Sequence, residues 1–217
     1  MIFNGEMVRA ILDGRKTQTR RIIKNCDVGR DDISSFIRIG KFTGCYPEDV
    51  PELIRECCPF GQPGDRIWVR ETWAEAGASA PDLKLYRANY PEHVTSGYEN
   101  VPPAEEIRWT PSIHMPRWAS RLTLEITGVR VERLNGISEA EAEAEGIDMD
   151  ALADSQDCYD CIADHNMTGR PTAIGAFKYL WESIYGEENW QSNPWVWVIE
   201  FKVVPNVPAN STGSDLR

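Results

Sequence analysis

A lysine amine and a threonine hydroxyl lie three residues apart in the basic segment 14–21, as Lys16 and Thr19. A hydroxyl is a poor nucleophile until a base takes its proton, and a lysine is a poor base until its pKa falls. Burial and neighbouring positive charge both disfavour the protonated amine. We therefore predict a functional site here, with the pKa of Lys16 lowered by three nearby arginines: Arg15, Arg20 and Arg21.

The same cluster also has the chemistry of an anion site, because its basic side chains can hold a phosphate. Two plainer interpretations stay open beside these. Lys16 can be a phosphate-contacting or solvated residue, and Thr19 can be an ordinary strand threonine.

The charge of the chain is unevenly distributed. Its 217 residues carry a net charge of -11, yet residues 9–41 hold nine Lys/Arg against four Asp, which leaves -16 on the remainder. The net charge argues against a protein that grips duplex DNA by phosphate neutralisation alone. A basic patch on an acidic body suits a small anionic ligand or a short single strand, although a solvated charged surface is the alternative.

Cysteine spacing suggests an incomplete metal site. Cys158 and Cys161 form a CxxC pair followed by His165, and Cys57 or Cys58 could complete the set. A zinc site needs four ligands and the usual second CxxC pair is missing, so we expect reduced thiols and predict no metal or other cofactor. No apolar run is long enough to span a bilayer and no signal peptide is apparent, which predicts a cytoplasmic protein without membrane contact.

The elements that must position Lys16 and Thr19 follow from periodicity and capping. A helix is predicted over 4–14 with Asn4 or Gly5 as its cap and Gly14 ending it, so Lys16 falls just after a helix end. Strands are predicted at 66–70, 121–134 (interrupted by Gly128) and 195–204. Ser138 and Glu141 form a capping box for a helix that ends near Gly146, and a second amphipathic helix surrounds 177–184.

These elements predict an α+β fold, a small mixed β-barrel flanked by helices and carrying long loop insertions. We expect a single domain over 1–204 with insertions near 42–62, 71–118 and 148–172. The tail 205–217 is small and polar, and we expect it to be disordered.

The Gly-Arg-Lys-Thr-Gln-Thr-Arg run at 14–20 resembles the G-x-K-x-x-x-R hallmark of ASCH domains, which belong to the PUA-like superfamily. The similarity extends through Pro-Gly-Asp-Arg-Ile-Trp-Val at 63–69, the strand 122–131, the helix 137–147 and Val-Ile-Glu-Phe-Lys at 198–202. About half of the chain is covered, in the expected order. With its insertions the chain looks like the longer ASCH proteins of bacterial prophages.

This resemblance implies a PUA-like barrel that acts on RNA or nucleosides. Some compact ASCH proteins are amidohydrolases that deacetylate N4-acetylcytidine with a Lys, a Thr and a helical Glu. Those roles fall on Lys16, Thr19 and Glu145, and a one-turn slip in the alignment would replace Glu145 by Glu141.

In the implied reaction Lys16 takes the Thr19 proton and the hydroxyl attacks an amide carbonyl, while Glu145 moves a proton to the leaving amine or activates water. Arg21 or a backbone N–H would stabilise the oxyanion. The predicted substrate-binding residues include Arg70 and the three arginines of the basic cluster, Arg15, Arg20 and Arg21. A stacking platform for the base is expected from Trp68, Trp73 or Trp118.

Two other functions stay open. Other ASCH proteins cleave single-stranded RNA without metal, and the basic cluster would then hold the scissile phosphate. A reader of RNA or of a modified base, without catalysis, is the third possibility. In each case the expected partner is a nucleoside, a nucleotide or single-stranded RNA.

Overall fold

The structure is a computed structural model that describes residues 1–24, 26–28, 37–39, 42–44, 57–77, 80, 82–94, 96, 101–154 and 172–206, with the side chains of 26–28, 37–39, 42–44 and 154 left out. By internal contacts the chain divides into two compact units. Unit 1 comprises Met1–Asp13, Arg66–Glu125 and Val203–Arg217. Unit 2 comprises Gly14–Asp65 and Ile126–Lys202. The prediction of one domain stays a prediction.

The first helix, α1 (Gly5–Leu12), confirms the predicted element and its caps. The Asn4 side chain accepts a hydrogen bond from the Met7 amide, and Glu6 lies in the electropositive first turn. Gly14 follows the helix with φ at +77°, a left-handed conformation that costs glycine little. The chain therefore leaves the helix just before Lys16.

Four strands form the principal sheet, in the order β1-β9-β8-β5. The strands in chain order are β1 (Gln18–Ile22), β2 (Cys26–Val28), β3 (Ile37–Ile39), β4 (Phe42–Gly44), β5 (Arg66–Trp68), β6 (Trp73–Glu75), β7 (Lys84–Tyr86), β8 (Thr123–Arg133) and β9 (Trp195–Val204). The four-stranded sheet is antiparallel and curled into a half-barrel, and with the helices it confirms the predicted α+β class.

Strand β8 runs without a break through Gly128, where the sequence suggested an interruption. A Cβ on residue 128 would lie 2.7 Å from Oε2 of Glu200 on β9, so the glycine leaves room for that carboxylate. The glycine therefore keeps the strand regular beside a large charged neighbour.

The remaining helices are α2 (Glu139–Ala144), α3 (Met149–Asp154), α4 (Ala173–Tyr185) and α5 (Glu187–Gln191). The capping box at Ser138 is present in both directions, as predicted, and Glu145 ends α2. A core cluster joins α2 and α4 to β9 through Ala142, Phe177, Trp181, Val196 and Val198, among others. This apolar packing fixes the end of α2 against the sheet.

Short elements lie both inside and outside the predicted insertions: β4, β6 and β7 fall within them, whereas β2 and β3 precede the first one. Strands β2, β3 and β4 form a three-stranded sheet, and β6 and β7 pair as a hairpin. Single 3₁₀ turns occur at Arg87–Asn89, Ala104–Glu106, Ser112–His114, Arg117–Ala119 and Leu134–Gly136. Most of 148–172 and the tail from 207 onward lie outside the described residues. In the part of the chain that is described, no helix is long and apolar enough to cross a membrane.

Candidate functional site

Lys16 and Glu145 form a fully buried ion pair in unit 2. The Lys16 Nζ donates to Glu145 Oε2 at 2.8 Å and to the Glu145 backbone oxygen at 2.6 Å. The two side chains are 0% and 3% exposed. The backbones of the two residues also form an antiparallel bridge, and the Thr17 amide donates to the Ala144 oxygen at 2.9 Å. Backbone pairing therefore holds the amine and the carboxylate in register.

Burial lowers the pKa of the Lys16 amine below its ordinary value. Glu145 acts in the opposite direction, through its charge and its hydrogen bond, whereas Arg21 and Arg20 add to the lowering. Removal from water is the largest of these effects because the amine has lost its hydration shell. The direction is the one that a lysine base requires.

Arg20 shares the same carboxylate. Its Nη1 lies 3.2 Å from Glu145 Oε1, while its Nη2 lies 3.3 Å from Glu132 and 3.4 Å from Glu141. The guanidinium is fully buried and lies 6.0 Å from the centroid of the Phe177 ring. Glu145 is thus held between two cations, one on each oxygen.

Arg130 extends the network to the neighbouring strands. It pairs with Glu132, Glu141 and Glu200, and its Nη2 lies 3.4 Å from Oε1 of Gln18. Sequence reasoning missed Arg130, Glu132 and Glu200 as partners of the Lys16 site. The sequence did carry a signal for them. Arg130 and Glu132 are opposite charges two residues apart on β8, and residues i and i+2 of a strand share a face. Glu200 is a glutamate inside the apolar run of β9.

Thr19 lies on the opposite face of β1 from this network. The strand register pairs Arg20 with Val198 and Thr19 with Ile199. Val198 belongs to the core under α2 and α4, so alternation directs Thr19 to the other face. Within the described residues the Thr19 Oγ1 is buried and has no hydrogen-bond partner. The Lys16–Thr19 hydrogen bond expected from the sequence is therefore absent here, because the Lys16 amine bonds to Glu145 instead.

The other two predicted arginines lie at the border of this cluster. Arg15 donates from Nη1 to the Gly146 oxygen at 2.8 Å, and its Nη2 lies 3.5 Å from Asp148. Arg21 alternates with Arg20 and so shares the Thr19 face, and its Nη1 donates to the Arg20 oxygen at 3.1 Å. The basic segment is thus divided between the two faces of β1.

The predicted stacking residues Trp68, Arg70 and Trp118 belong to unit 1, whereas Lys16, Thr19 and Glu145 belong to unit 2. The Arg70 guanidinium lies 4.5 Å from the Trp68 ring centroid. Trp118 is 58% exposed, and Trp73, the third tryptophan considered, is buried.

A second buried ion pair, which sequence reasoning missed, also lies in unit 1. Arg121 contacts both oxygens of Glu71 at 2.8 Å and stacks 4.1 Å from the Tyr86 ring centroid. Burial raises the pKa of Tyr86 to about 12, and its hydroxyl donates to the Ala119 oxygen.

The metal candidates Cys158, Cys161 and His165 lie outside the described residues. Cys57 and Cys58 are half-buried, and burial raises the pKa of the Cys58 thiol. Among the residues whose positions are given, no group of three or more His, Cys, Asp or Glu could hold a metal ion.

A cavity of about 390 Å³ in unit 1 is lined by Tyr90, Val94, Pro102 and neighbouring residues, and none of the predicted site residues lines it.

No protein-family model, curated protein or solved structure matches the chain. The resemblance to ASCH domains therefore stays a prediction.

Proposed function

We propose that the chain is a hydrolase directed at a modified nucleoside, nucleotide or RNA, and that it cleaves the amide of an acylated cytosine with Lys16 and Glu145 as the proton-transfer pair. The observation that carries this proposal is the fully buried contact of 2.8 Å between the Lys16 amine and the Glu145 carboxylate. A buried amine with a lowered pKa beside a proton acceptor is characteristic of functional sites.

Arg20 supports the role of Lys16 as a base. Since Arg20 contacts the second oxygen of Glu145 at 3.2 Å, the carboxylate keeps a counter-cation when Lys16 is neutral. If Lys16 were the only cation beside Glu145, the loss of its proton would leave the buried carboxylate without a counter-charge. The amine would then hold its proton more strongly. The shared carboxylate thus makes the neutral amine accessible without leaving a buried charge unpaired.

In the proposed reaction the neutral Lys16 amine takes the proton of the attacking hydroxyl, and the oxygen bonds to the acyl carbon. The C–N bond then breaks, and the proton passes through Glu145 to the departing exocyclic amine of the cytosine. When the attacking hydroxyl is that of Thr19, a water then hydrolyses the acyl ester to a carboxylic acid, and when it is water the acid forms directly. Because Thr19 lies on the other face of β1, its use as the nucleophile requires the Lys16 side chain to leave Glu145, and water is the alternative nucleophile.

A binding module without turnover is the second candidate, and the burial of Lys16 and Arg20 favours it. Both cations are withdrawn from solvent and neutralised by carboxylates, as in a structural network. The same observation argues against the ribonuclease, since a scissile phosphate would have to displace Glu145, Glu132 and Glu141 from these two side chains.

The test is release of acid from an N4-acylated cytidine, monitored by mass spectrometry, for the wild type and for Lys16→Met, Glu145→Gln and Thr19→Ala. Matched controls replace exposed residues of the same type: Lys24→Met, Glu143→Gln and Thr127→Ala. We expect the controls to retain turnover and Lys16→Met and Glu145→Gln to lose it. Turnover in either of these two variants, or none in the wild type, would overturn the proposal.

Thr19→Ala decides the nucleophile. Loss of activity in a variant that keeps the wild-type melting temperature assigns the attack to Thr19, whereas retained activity assigns it to water. Labelled single-stranded RNA incubated in chelator separates the ribonuclease, because strand cleavage releases no carboxylic acid.

A further inference from the structure

Unit 1 presents an exposed indole beside a lysine. Trp118 is 58% exposed, and the Lys84 Nζ lies 5.5 Å from the centroid of its ring. The ring centroids of Trp118 and Trp73 lie 5.3 Å apart with the planes at 89°, a T-shaped contact that fixes the orientation of the exposed indole. A large flat side chain held rigidly in solvent is suited to stacking against a second flat ring.

A second indole, that of Trp68, lies beside two guanidinium groups, and one of them belongs to Arg117, the residue before Trp118. Arg70 lies 4.5 Å and Arg117 lies 5.9 Å from the Trp68 ring centroid. Arg117 and Trp118 are consecutive residues of the same 3₁₀ turn. We define the Trp68–Trp118 surface as these five residues: Trp68, Arg70, Lys84, Arg117 and Trp118.

The three cations of this surface have no carboxylate partner among the described residues. Lys84, Arg70 and Arg117 make no ion pair with any described residue, whereas Lys16, Arg20, Arg121 and Arg130 are all paired. Glu75 is the cross-strand neighbour of Lys84 and still forms no ion pair with it. Three cations without a carboxylate partner in the described part of the chain, grouped on an acidic protein of net charge -11, make this surface locally suited to an anion.

We propose that the Trp68–Trp118 surface binds single-stranded nucleic acid, with a base stacked on Trp118 and phosphates contacting Lys84, Arg70 and Arg117. The exposed indole favours a ligand in which flat rings and negative charge alternate along the strand, as they do in single-stranded nucleic acid and do not in a poly-Glu peptide. Binding at this surface does not depend on turnover at Lys16, so the two proposals fail separately.

The experiment measures fluorescence anisotropy of fluorescein-labelled 12-mers of oligo(U) and oligo(dT) at several salt concentrations. Three phosphate contacts predict a slope of log K against log[salt] of roughly -2, and Lys84→Met should reduce it to roughly -1.4. Trp118→Ala should weaken binding about 5- to 150-fold, since loss of one stacked base has this effect. Glu75→Gln should tighten binding, because it removes the carboxylate nearest in register to Lys84.

Matched controls come from unit 2. Tyr179→Ala removes an aromatic side chain that is also 58% exposed, and Lys24→Met removes an exposed lysine. Both should bind like the wild type. The proposal is overturned if neither oligonucleotide binds, if Trp118→Ala binds like Tyr179→Ala, or if a poly-Glu peptide competes as well as unlabelled oligo(U). A preference for oligo(U) or for oligo(dT) would identify RNA or DNA as the strand bound.

Discussion

Replacing Glu145 by glutamine should destabilise the protein more than replacing its partner Lys16 by methionine. Glu145 supplies both hydrogen bonds of the Lys16 amine, one from its side chain and one from its backbone. Without the carboxylate the buried amine has no anion. In Lys16→Met, by contrast, the carboxylate keeps Arg20 at 3.2 Å. Deleting the carboxylate therefore leaves a buried cation without an anion, whereas deleting the amine leaves a carboxylate that is still paired.

Removing one partner of a buried ion pair costs about 3–5 kcal/mol. The loss of stability on replacing Glu145 has an upper bound, because the orphaned amine can give up its proton. Deprotonating an ordinary lysine at pH 7 costs about 5 kcal/mol, and the amine is then no longer a buried charge. Glu145→Gln should therefore lose about 3–5 kcal/mol at pH 7. Lys16→Met should lose about 1–2 kcal/mol, since it gives up charge-assisted hydrogen bonds but buries an apolar chain of similar length.

Urea unfolding at pH 7 and pH 9.5 measures these differences, with Glu143→Gln as the exposed control expected to change stability by less than about 0.5 kcal/mol. The double variant Lys16→Met/Glu145→Gln should be more stable than Glu145→Gln alone, because the orphaned cation is gone. The loss in Glu145→Gln should also shrink at pH 9.5, where the amine deprotonates at lower cost. Equal losses in both single variants, or a double variant less stable than either, would refute the reasoning.

Three further predictions concern pH and capping. The pKa of the folded Lys16 amine lies below its ordinary value of 10.5, so between these two pH values the unfolded state binds more protons than the folded state. Stability should therefore rise with pH toward 10.5, and Lys16→Met should lack this rise. Tyr86 has a pKa of about 12 when folded and 10 when unfolded, so stability should fall from pH 10 to 12 and Tyr86→Phe should abolish that fall. Ser138→Ala removes the cap of α2 and should cost about 1 kcal/mol by thermal unfolding.

The tertiary contacts of Lys16 decide how well the protein tolerates its substitution. A lysine exposed on a loop can be replaced by alanine with little effect on the melting temperature. A lysine buried against Glu145 cannot, because its deletion alters the network around the carboxylate. Activity measurements on Lys16 variants therefore need a stability measurement beside them, whereas the orphaned hydroxyl of Thr19 leaves Thr19→Ala the cleaner substitution.

Local signals predicted most of the elements that surround the site. The Asn4 cap and the left-handed Gly14 mark the limits of α1, the Ser138 capping box begins α2, and strand β9 covers the predicted residues 195–204. These features are encoded within a few neighbouring residues, so they can be recognised without knowing the rest of the chain. The choice of Glu145 over Glu141 as the partner of Lys16 was not local, since the two differ by one helical turn.

The sequence by itself determined which groups are available: an amine after a helix end, a hydroxyl three residues on, and a helix of alternating glutamates. Only the tertiary structure decided how they pair, because β1 alternates its side chains between two faces and α2 packs on only one of them. That packing places Glu145 against Lys16 and Arg20 and leaves Thr19 on the other face. Charges on β8 and β9 then complete the network, since long-range strand pairing brings together residues that are far apart in the chain.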